Sequence, residues 1–397
     1  MRAYSHLASA AQIVDEYRGD EPFASFIKKY FSAHKKFGSK DRKQVAHLCY
    51  CYFRLGKSVP ANGSRTEIEK RILLGLFLCS GQSNEILEAL KPEWNRKTGL
   101  SLKEKLLVVD QQIFLEDVFP WGRELSGGLD HLKFCESFFL QPDLFLRLRH
   151  GHEKLVTEKL SNAKIDFLQL GPSCLALPNS SKIDNLVELD KEAVVQDYNS
   201  QQIGRYFELP IASRSLPGSP GPMAAWDCCA ASGGKSLLLY DLHPNIDLTV
   251  SDVRESILAN LKKRFLRAGI IHYRSFVVDL AGNRNPPAGK YDLIICDAPC
   301  TGSGTWSRTP EQLYFFDEKK IESYSLLQKK ITSKVIPHVK PGGFFLYITC
   351  SVFKRENEEV VRFIRERSDL MLVEMSLLKG YDKKSDTMFV ALFRSPL

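Results

Sequence analysis

The sequence predicts an α/β protein whose C-terminal half is a doubly wound sheet, preceded by a small α+β module and an all-α N-terminal domain. Three observations carry this prediction. Before about residue 135 apolar residues recur at helical spacing with few strand signals; from about 140 to 208 short β-leaning runs surround one charged helical stretch; and after Ala224 continuous apolar runs alternate with amphipathic helices. At 397 residues the chain has room for two to three domains. A composition of 44% hydrophobic and 26% charged residues excludes a disordered chain. No apolar run reaches the roughly 18 residues of a membrane span. The opening MRAYSHLASAAQIVDEY meets Asp15 and Glu16 before an apolar region develops, so it does not read as a signal peptide, and a cytoplasmic location is expected.

In the N-terminal domain, Val45, Leu48, Cys49 and Tyr52 share one helical face, and the stretches 62–64 and Trp94 to Gly99 read as interhelical loops. The net charge of +8 is concentrated here: nine Lys and Arg lie between Lys28 and Lys57 against the single Asp41. On charge alone, a solvated helix face and a nucleic-acid footprint explain this equally well. The next module, 140–208, has strands in LFLRLR, FLQLG, SCLAL and AVVQD around the helical HEKLVTEKLSNA. The segment LPIASRSLPGSPGPM at 209–223 is expected to be a non-helical, exposed loop at a domain boundary.

From 224 to 397 the candidate strands are AAWDCC, LTVSDV, SFVVDL, YDLIICDAP and GFFLYITC. Helices are expected after Lys235 and across Arg254 to Ala268, Glu318 to Val335 and Glu356 to Arg365. Such a pattern implies a parallel sheet covered on both faces, which binds ligands at the carboxyl ends of its strands. The ten cysteines are too sparse for a disulfide scaffold and show no CxxC pair or metal-ligand spacing, so reduced thiols and no metal are expected. Cys49 and Cys51, inside an apolar run, read as packed thiols.

Four motifs fall at predicted strand ends. Asp227-Cys-Cys-Ala-Ala-Ser-Gly-Gly-Lys235-Ser236 leads from strand to helix through small residues, which lets a ligand approach the backbone and the helix N-terminus. Its spacing is not that of a phosphate-binding P-loop. Asp252 follows about twenty residues later, where a doubly wound fold places the acid that binds ribose hydroxyls, and Asp279 ends the next strand. Two such acids suit an adenosine-containing ligand, although a lone strand-end Asp is more often a helix N-cap. The remaining motifs, Cys296-Asp297-Ala-Pro299-Cys300-Thr-Gly302-Ser-Gly304 and Tyr347-Ile-Thr-Cys350-Ser351, each set a thiol just past a buried strand. A single cysteine there is usually packing; two at neighbouring sites point to nucleophilic chemistry.

These motifs, followed by Glu356-Asn-Glu358, resemble the signature set of the Nol1/Nop2/Sun family of RNA cytosine-5 methyltransferases, in order and spacing, over some 180 residues. Upstream, Gln196-Asp197 with Ser200-Gln201 resembles the segment before that family's catalytic domain, and LFLRLRHG the start of its small RNA-contacting, RRM-like module. The run from Phe37 to Arg54 is similar to the NusB-like helical domain of RsmB-type enzymes. The resemblance implies a Rossmann-like methyltransferase sheet and S-adenosyl-L-methionine as cofactor. It implies that Cys350 is the nucleophile toward cytosine C6, that Asp297 hydrogen-bonds the N3 edge, and that Cys300 assists removal of the C5 proton and product release. The cofactor would lie on Cys229, Ala230, Ala231, Ser232, Gly233, Gly234 and Lys235, with Asp252 on the ribose, Asp279 toward the adenine, and Asp297 beside it. The target base must be unstacked.

The sequence departs from that pattern at several positions. Ser232 stands for the usual Pro, Thr301 for Ser, Ile257 for Arg and Arg264 for Asn, whereas Arg267 and Gly269 agree. Arg147 and Arg149 occupy a run where the family prefers Asn, and the stretch 209–223 is long. Ribosomal RNA is the leading substrate and partner, with a monomeric protein and no membrane association expected. A transfer RNA substrate, or a non-catalytic rRNA-binding assembly factor of the same fold, is the alternative. An exocyclic-amine methyltransferase is disfavoured, since those sites carry an Asn- or Asp-Pro-Pro-aromatic motif.

Overall fold

The computed structural model describes residues 2–59, 63–109, 113–214, 221–282, 286 and 288–397. The chain divides into two compact units: Met1–Leu125, Asp130–Gln141 and Thr305–Asp317 form the first, and Ser126–Leu129, Pro142–Gly304 and Glu318–Leu397 the second.

The first unit is built of helices, chiefly Arg2–Glu16, Phe23–Ala33, Ser39–Arg54 and Arg65–Cys79. The last is its buried centre. Ser64 caps it by accepting from the Glu67 amide, and Ile68, Ile72, Leu74, Leu76, Phe77 and Leu78 are all enclosed. Gly75 is required there, because a Cβ at that position would lie 2.1 Å from the Cys51 carbonyl oxygen of the crossing helix. Val45, Leu48, Cys49 and Tyr52 are buried as the spacing predicts. The aromatic cluster Tyr17, Phe23 and Phe53 is completed by Tyr314 and Phe315 from the helix Pro310–Phe315, with Tyr17 and Phe315 edge to face at 5.3 Å. Of the nine basic residues between Lys28 and Lys57, eight are exposed. Arg54 is buried and donates to the carbonyls of Phe138 and Leu140 and to Gln141, so its charge serves the fold.

The second unit begins with the small module. Strands β1 (Leu144–Leu148), β2 (Leu168–Gly171), β3 (Cys174–Leu177) and β4 (Ala193–Val195) form an antiparallel sheet in the order β2-β3-β1-β4. Val156 and Leu160 of the helix Glu153–Asn162 pack on Leu146, Leu148, Leu175 and Leu177. The larger sheet contains β5 (Met223–Asp227), β6 (Ile246–Asp252), β7 (Arg274–Val277), β8 (Tyr291–Asp297), β9 (Val339–Thr349), β10 (Met371–Leu378) and β11 (Met388–Arg394), in the order β10-β11-β9-β8-β5-β6-β7. Its alternate residues feed two cores, one with Ala225, Val250, Leu293 and Leu346, the other with Trp226, Ile294, Phe345 and Tyr347. The chain order reverses between β5 and β8, the place where doubly wound sheets open a crevice.

Several expectations are corrected. The sheet is not wholly parallel, because β11 runs antiparallel to β9 and β10 antiparallel to β11. The stretch 209–223 is not uniformly non-helical: Glu208–Arg214 is an α-helix. Pro210 is accommodated because it sits in the first turn, where no intrahelical N–H is needed. Asp279 does not end a strand but follows β7 by two residues. Trp94 and Asn95 close the short helix Pro92–Asn95 rather than lying in a loop. The C-terminal helix starts at Glu358, not Glu356. The boundary at 135 shifts, since the helical unit runs on to Gln141, gives up 126–129 and takes in Thr305–Asp317 from the span 224–397. The module at 140–208 joins the large sheet in one unit. Asn62, in one expected loop, and part of 209–223 lie outside the described residues. No helix among the described residues is long and apolar enough to cross a membrane.

Candidate active site

The motif after β5 forms a tight loop. Gly233 adopts φ +83°, and a Cβ there would lie 2.7 Å from the Phe265 ring, so only glycine closes this turn onto the helix Glu255–Ala268. Ala231 also has a positive φ of 47°. Its strained backbone is held by hydrogen bonds: the Ala231 amide donates to Asp252 Oδ2 at 3.0 Å and the Ala230 amide to the Ser251 carbonyl at 2.8 Å. Arg264 donates to both the carbonyl and the hydroxyl of Ser232, at 3.0 and 3.1 Å, and to Asp190 of the small module at 2.8 Å. Two of the departures from the family pattern, Ser232 and Arg264, are therefore one contact. Nothing in the structure explains Ile257.

Asp227 turns inward. Its Oδ2 accepts from Ser236 at 2.6 Å, its Oδ1 has no hydrogen-bond partner, and burial pushes its carboxyl up to about 7. Asp252 is buried at the end of β6, with its other oxygen receiving the amide and guanidinium of Arg254 at 2.9 and 3.2 Å. Asp279 is exposed and accepts from the Ala281 amide, and the Val278 amide donates to the Asp252 carbonyl, which keeps the two acids adjacent along the sheet end.

Across the crevice, Lys235 Nζ donates to Asp297 Oδ2 at 2.8 Å. Burial alone would lower the Lys235 pKa, but the charge of Asp297 and then that of Cys350 outweigh it and hold the ammonium protonated. Cys300 stands beside Cys350; that neighbouring thiol, then burial, pushes the Cys300 thiol well up. The structure thus brings Lys235, Asp297, Cys300 and Cys350 to one place, at the ends of β5, β8 and β9.

The loops carrying the two cysteines are tied by residues for which sequence reasoning gave no role. Fully buried Glu356 accepts from the Thr301 hydroxyl at 2.5 Å and amide at 2.9 Å, the Ser351 hydroxyl at 2.6 Å and Gln328 at 3.0 Å. Burial raises its pKa despite these bonds. Asn357 accepts from Thr349 at 2.6 Å and donates to the Ser351 carbonyl at 2.8 Å. Their signal in the sequence was the Glu-Asn-Glu triplet itself, polar residues opening an otherwise amphipathic helix. On the other flank, Gln196 accepts from Arg147 at 2.7 Å, and Arg147 and Arg149 both pair with Asp241 of the helix Gly234–Leu242, at 2.6 and 2.7 Å. The arginines that replace the family's Asn thus fasten the small module to the helix that starts at the loop after β5.

Residues 222–393 match the family model described as 16S rRNA methyltransferase RsmB/F. Ribosomal RNA small subunit methyltransferase B of Enterobacter sp. (strain 638) is 26% identical over 245 residues, which is 58% of this chain and 53% of that protein. The protein of the same description from Pectobacterium atrosepticum is 33% identical over 153 residues, 37% of this chain and 35% of that protein. The chain thus spans about half or less of the length of these curated relatives. Among solved structures, that of PH0851 superposes with a TM-score of 0.70 at 19% identity, covering 98% of both chains. NSun6 from Pyrococcus horikoshii with SFG superposes with a TM-score of 0.59 at 15% identity, covering 71% of this chain and 99% of that one. At these identities the likeness is one of fold.

Proposed function

On the match of residues 222–393 to the family model described as 16S rRNA methyltransferase RsmB/F, we propose that the chain is an S-adenosyl-L-methionine-dependent RNA cytosine-5 methyltransferase acting on ribosomal RNA. The observation that carries this reading is the juxtaposition of the thiols of Cys300 and Cys350 beside the Lys235–Asp297 ion pair.

The residues fit the cofactor. No side chain from Ala230 to Gly234 is larger than Ser, nothing lies within 4 Å of a Cβ built on Gly234, and the carboxylate of Asp252 stands beside the loop. S-adenosyl-L-methionine, when bound, supplies the methyl group. The loop Cys229 to Lys235 and Asp252 would hold it, with Asp279 toward the adenine.

The protein's own groups then divide the work. Cys350 adds to C6 as the thiolate. Asp297, oriented by Lys235, takes the N3 edge as charge develops on the ring. Cys300 keeps its proton in the resting enzyme chiefly because of the neighbouring Cys350 thiol. Once the Cys350 sulfur is bonded to carbon, that cause is removed, Cys300 gives up its proton to solvent, and the resulting thiolate is the base. It takes the C5 proton, the C5=C6 double bond reforms, and the bond from C6 to the Cys350 sulfur breaks.

Lys35, Lys36, Lys40, Arg42 and Lys43, all exposed, would neutralise backbone phosphates. Replacing all five with neutral residues is expected to make RNA binding less salt-dependent, by a slope of roughly 0.7–0.9 for each phosphate no longer neutralised; an unchanged slope would assign them to a merely solvated face. The reading as a whole is tested by incubating the protein with S-adenosyl-L-methionine and ribosomal RNA, then digesting the RNA for nucleoside mass spectrometry. 5-Methylcytidine is expected, and methylation at another atom or none would overturn it.

A further inference from the structure

The catalytic reading uses two of the cysteines and leaves a second group of thiols beneath the same loop. In the register of β5 with β8, Asp227 lies beside Ile295, and the Cys228 amide donates to the Ile295 carbonyl at 2.9 Å. Cys228 and Cys296 are therefore neighbours, both buried in the core that contains Trp226 and Tyr347. Cys229, the second residue after β5, packs against that core. The three sulfurs lie within 4.8 Å of one another. No metal-ligand spacing is visible in the sequence, because Cys229 and Cys296 are 67 positions apart; strand pairing alone assembles the group.

We infer that Cys228, Cys229 and Cys296 form a binding site for a soft, thiophilic d10 cation in three-sulfur coordination. A metal–sulfur bond of about 2.3 Å in trigonal geometry sets the sulfurs about 4 Å apart, within the 4.8 Å limit of this cluster. Thiolate ligands select soft ions over magnesium or calcium. The surrounding field also favours a cation, since Asp227 and Asp297 act on Cys296 and Asp252 acts on Cys229. Binding is ligand exchange: each sulfur–hydrogen bond present is replaced by a metal–sulfur bond, the protons leave to solvent, and no electron is transferred. An ion held there ties Cys229, and with it the start of the loop that leads to Lys235, to two adjacent strands.

The test is a titration of the full-length, reduced, chelator-free protein with cadmium(II), followed by thiolate-to-metal charge-transfer absorption and by the thermal midpoint. One tightly bound equivalent that raises the midpoint is expected. Its affinity should fall by more than about 100-fold in C228S and C296S, and should survive in the C300S/C350S double variant. Should C228S or C296S fail to fold, C229A removes the partly exposed ligand from an intact core and should show the same loss. The inference is overturned if affinity and absorption are unchanged in the cluster variants, or if they disappear only in the C300S/C350S protein. The readout is independent of methyl transfer.

Discussion

The loops after β8 and β9 and the loop after β5 meet at one crevice but are held in opposite ways. The two cysteine-bearing loops are bound to each other by a compact hydrogen-bond network around buried Glu356 and Asn357, joined by Gln328 and Ser126. The loop after β5 is held by charge: Asp252 on its backbone, Lys235 on Asp297, and Arg264 reaching Ser232 with its other end on Asp190. The difference teaches that the two cysteine-bearing loops are fixed by a buried hydrogen-bond network, whereas the geometry of the loop after β5 is shared with the small module.

The largest expected effect falls on the first region. Cys350→Ala should reduce methyl transfer to below about 10⁻³ of the wild-type rate while leaving RNA binding, followed by filter retention, near normal. Cys300→Ala with Cys350 intact should accumulate a protein–RNA adduct that survives denaturing electrophoresis. Substantial turnover in the first variant, or no adduct in the second, would break the assignment of roles.

Asp227 sharpens the contrast from the other side. Its carboxyl is raised from 3.8 to about 7, so the folded state binds a proton more tightly than the unfolded one. The sign follows: its contribution is most favourable below the unfolded value and is lost as pH rises toward 7, at up to about 1.4 kcal/mol per pH unit. In metal-free protein, Asp227→Asn should therefore flatten the fall in urea-unfolding free energy between pH 5 and 7. An equally steep fall in the variant would mean that another group titrates.

Glu356→Gln places an amide donor against donors from Thr301 and Ser351, and should cost roughly 1–3 kcal/mol of stability, with kcat lowered and the KM for cofactor little changed. Arg264→Ala should do the reverse, raising the KM for cofactor by about tenfold, the loss of a charge-assisted hydrogen bond of around 1.4 kcal/mol, with kcat nearly unchanged and partial recovery in Arg264→Lys. If both variants altered the same kinetic constant, the two loops would not be independent.

Much of this architecture was legible in the sequence because it depends on local pattern. The apolar runs that became β1, β5, β6, β8 and β9, and the Asp and Cys residues at their ends, are short-range signals that a single chain displays. β10 was not legible, since Met371, Val373 and Met375 are exposed and its pairing with β11 is fixed by tertiary context. The helix Glu208–Arg214 was hidden by a proline whose position in the first turn could not be known in advance. At the site, Cys300 and Cys350 could be named, whereas the role of Glu356 and the Arg264–Ser232 contact are products of tertiary packing, and the three-sulfur cluster is a product of strand register. Register is set by the whole sheet, so no spacing along the sequence announces it.

The helix Pro310–Phe315 lies late in the chain yet supplies Tyr314 and Phe315 to the aromatic cluster of Tyr17, Phe23 and Phe53. During synthesis the first helices therefore emerge from the ribosome long before the rings that close their core, and they wait with that surface uncovered until residue 317 has been made. A fragment cut at residue 141 would remain in that waiting state, prone to self-association.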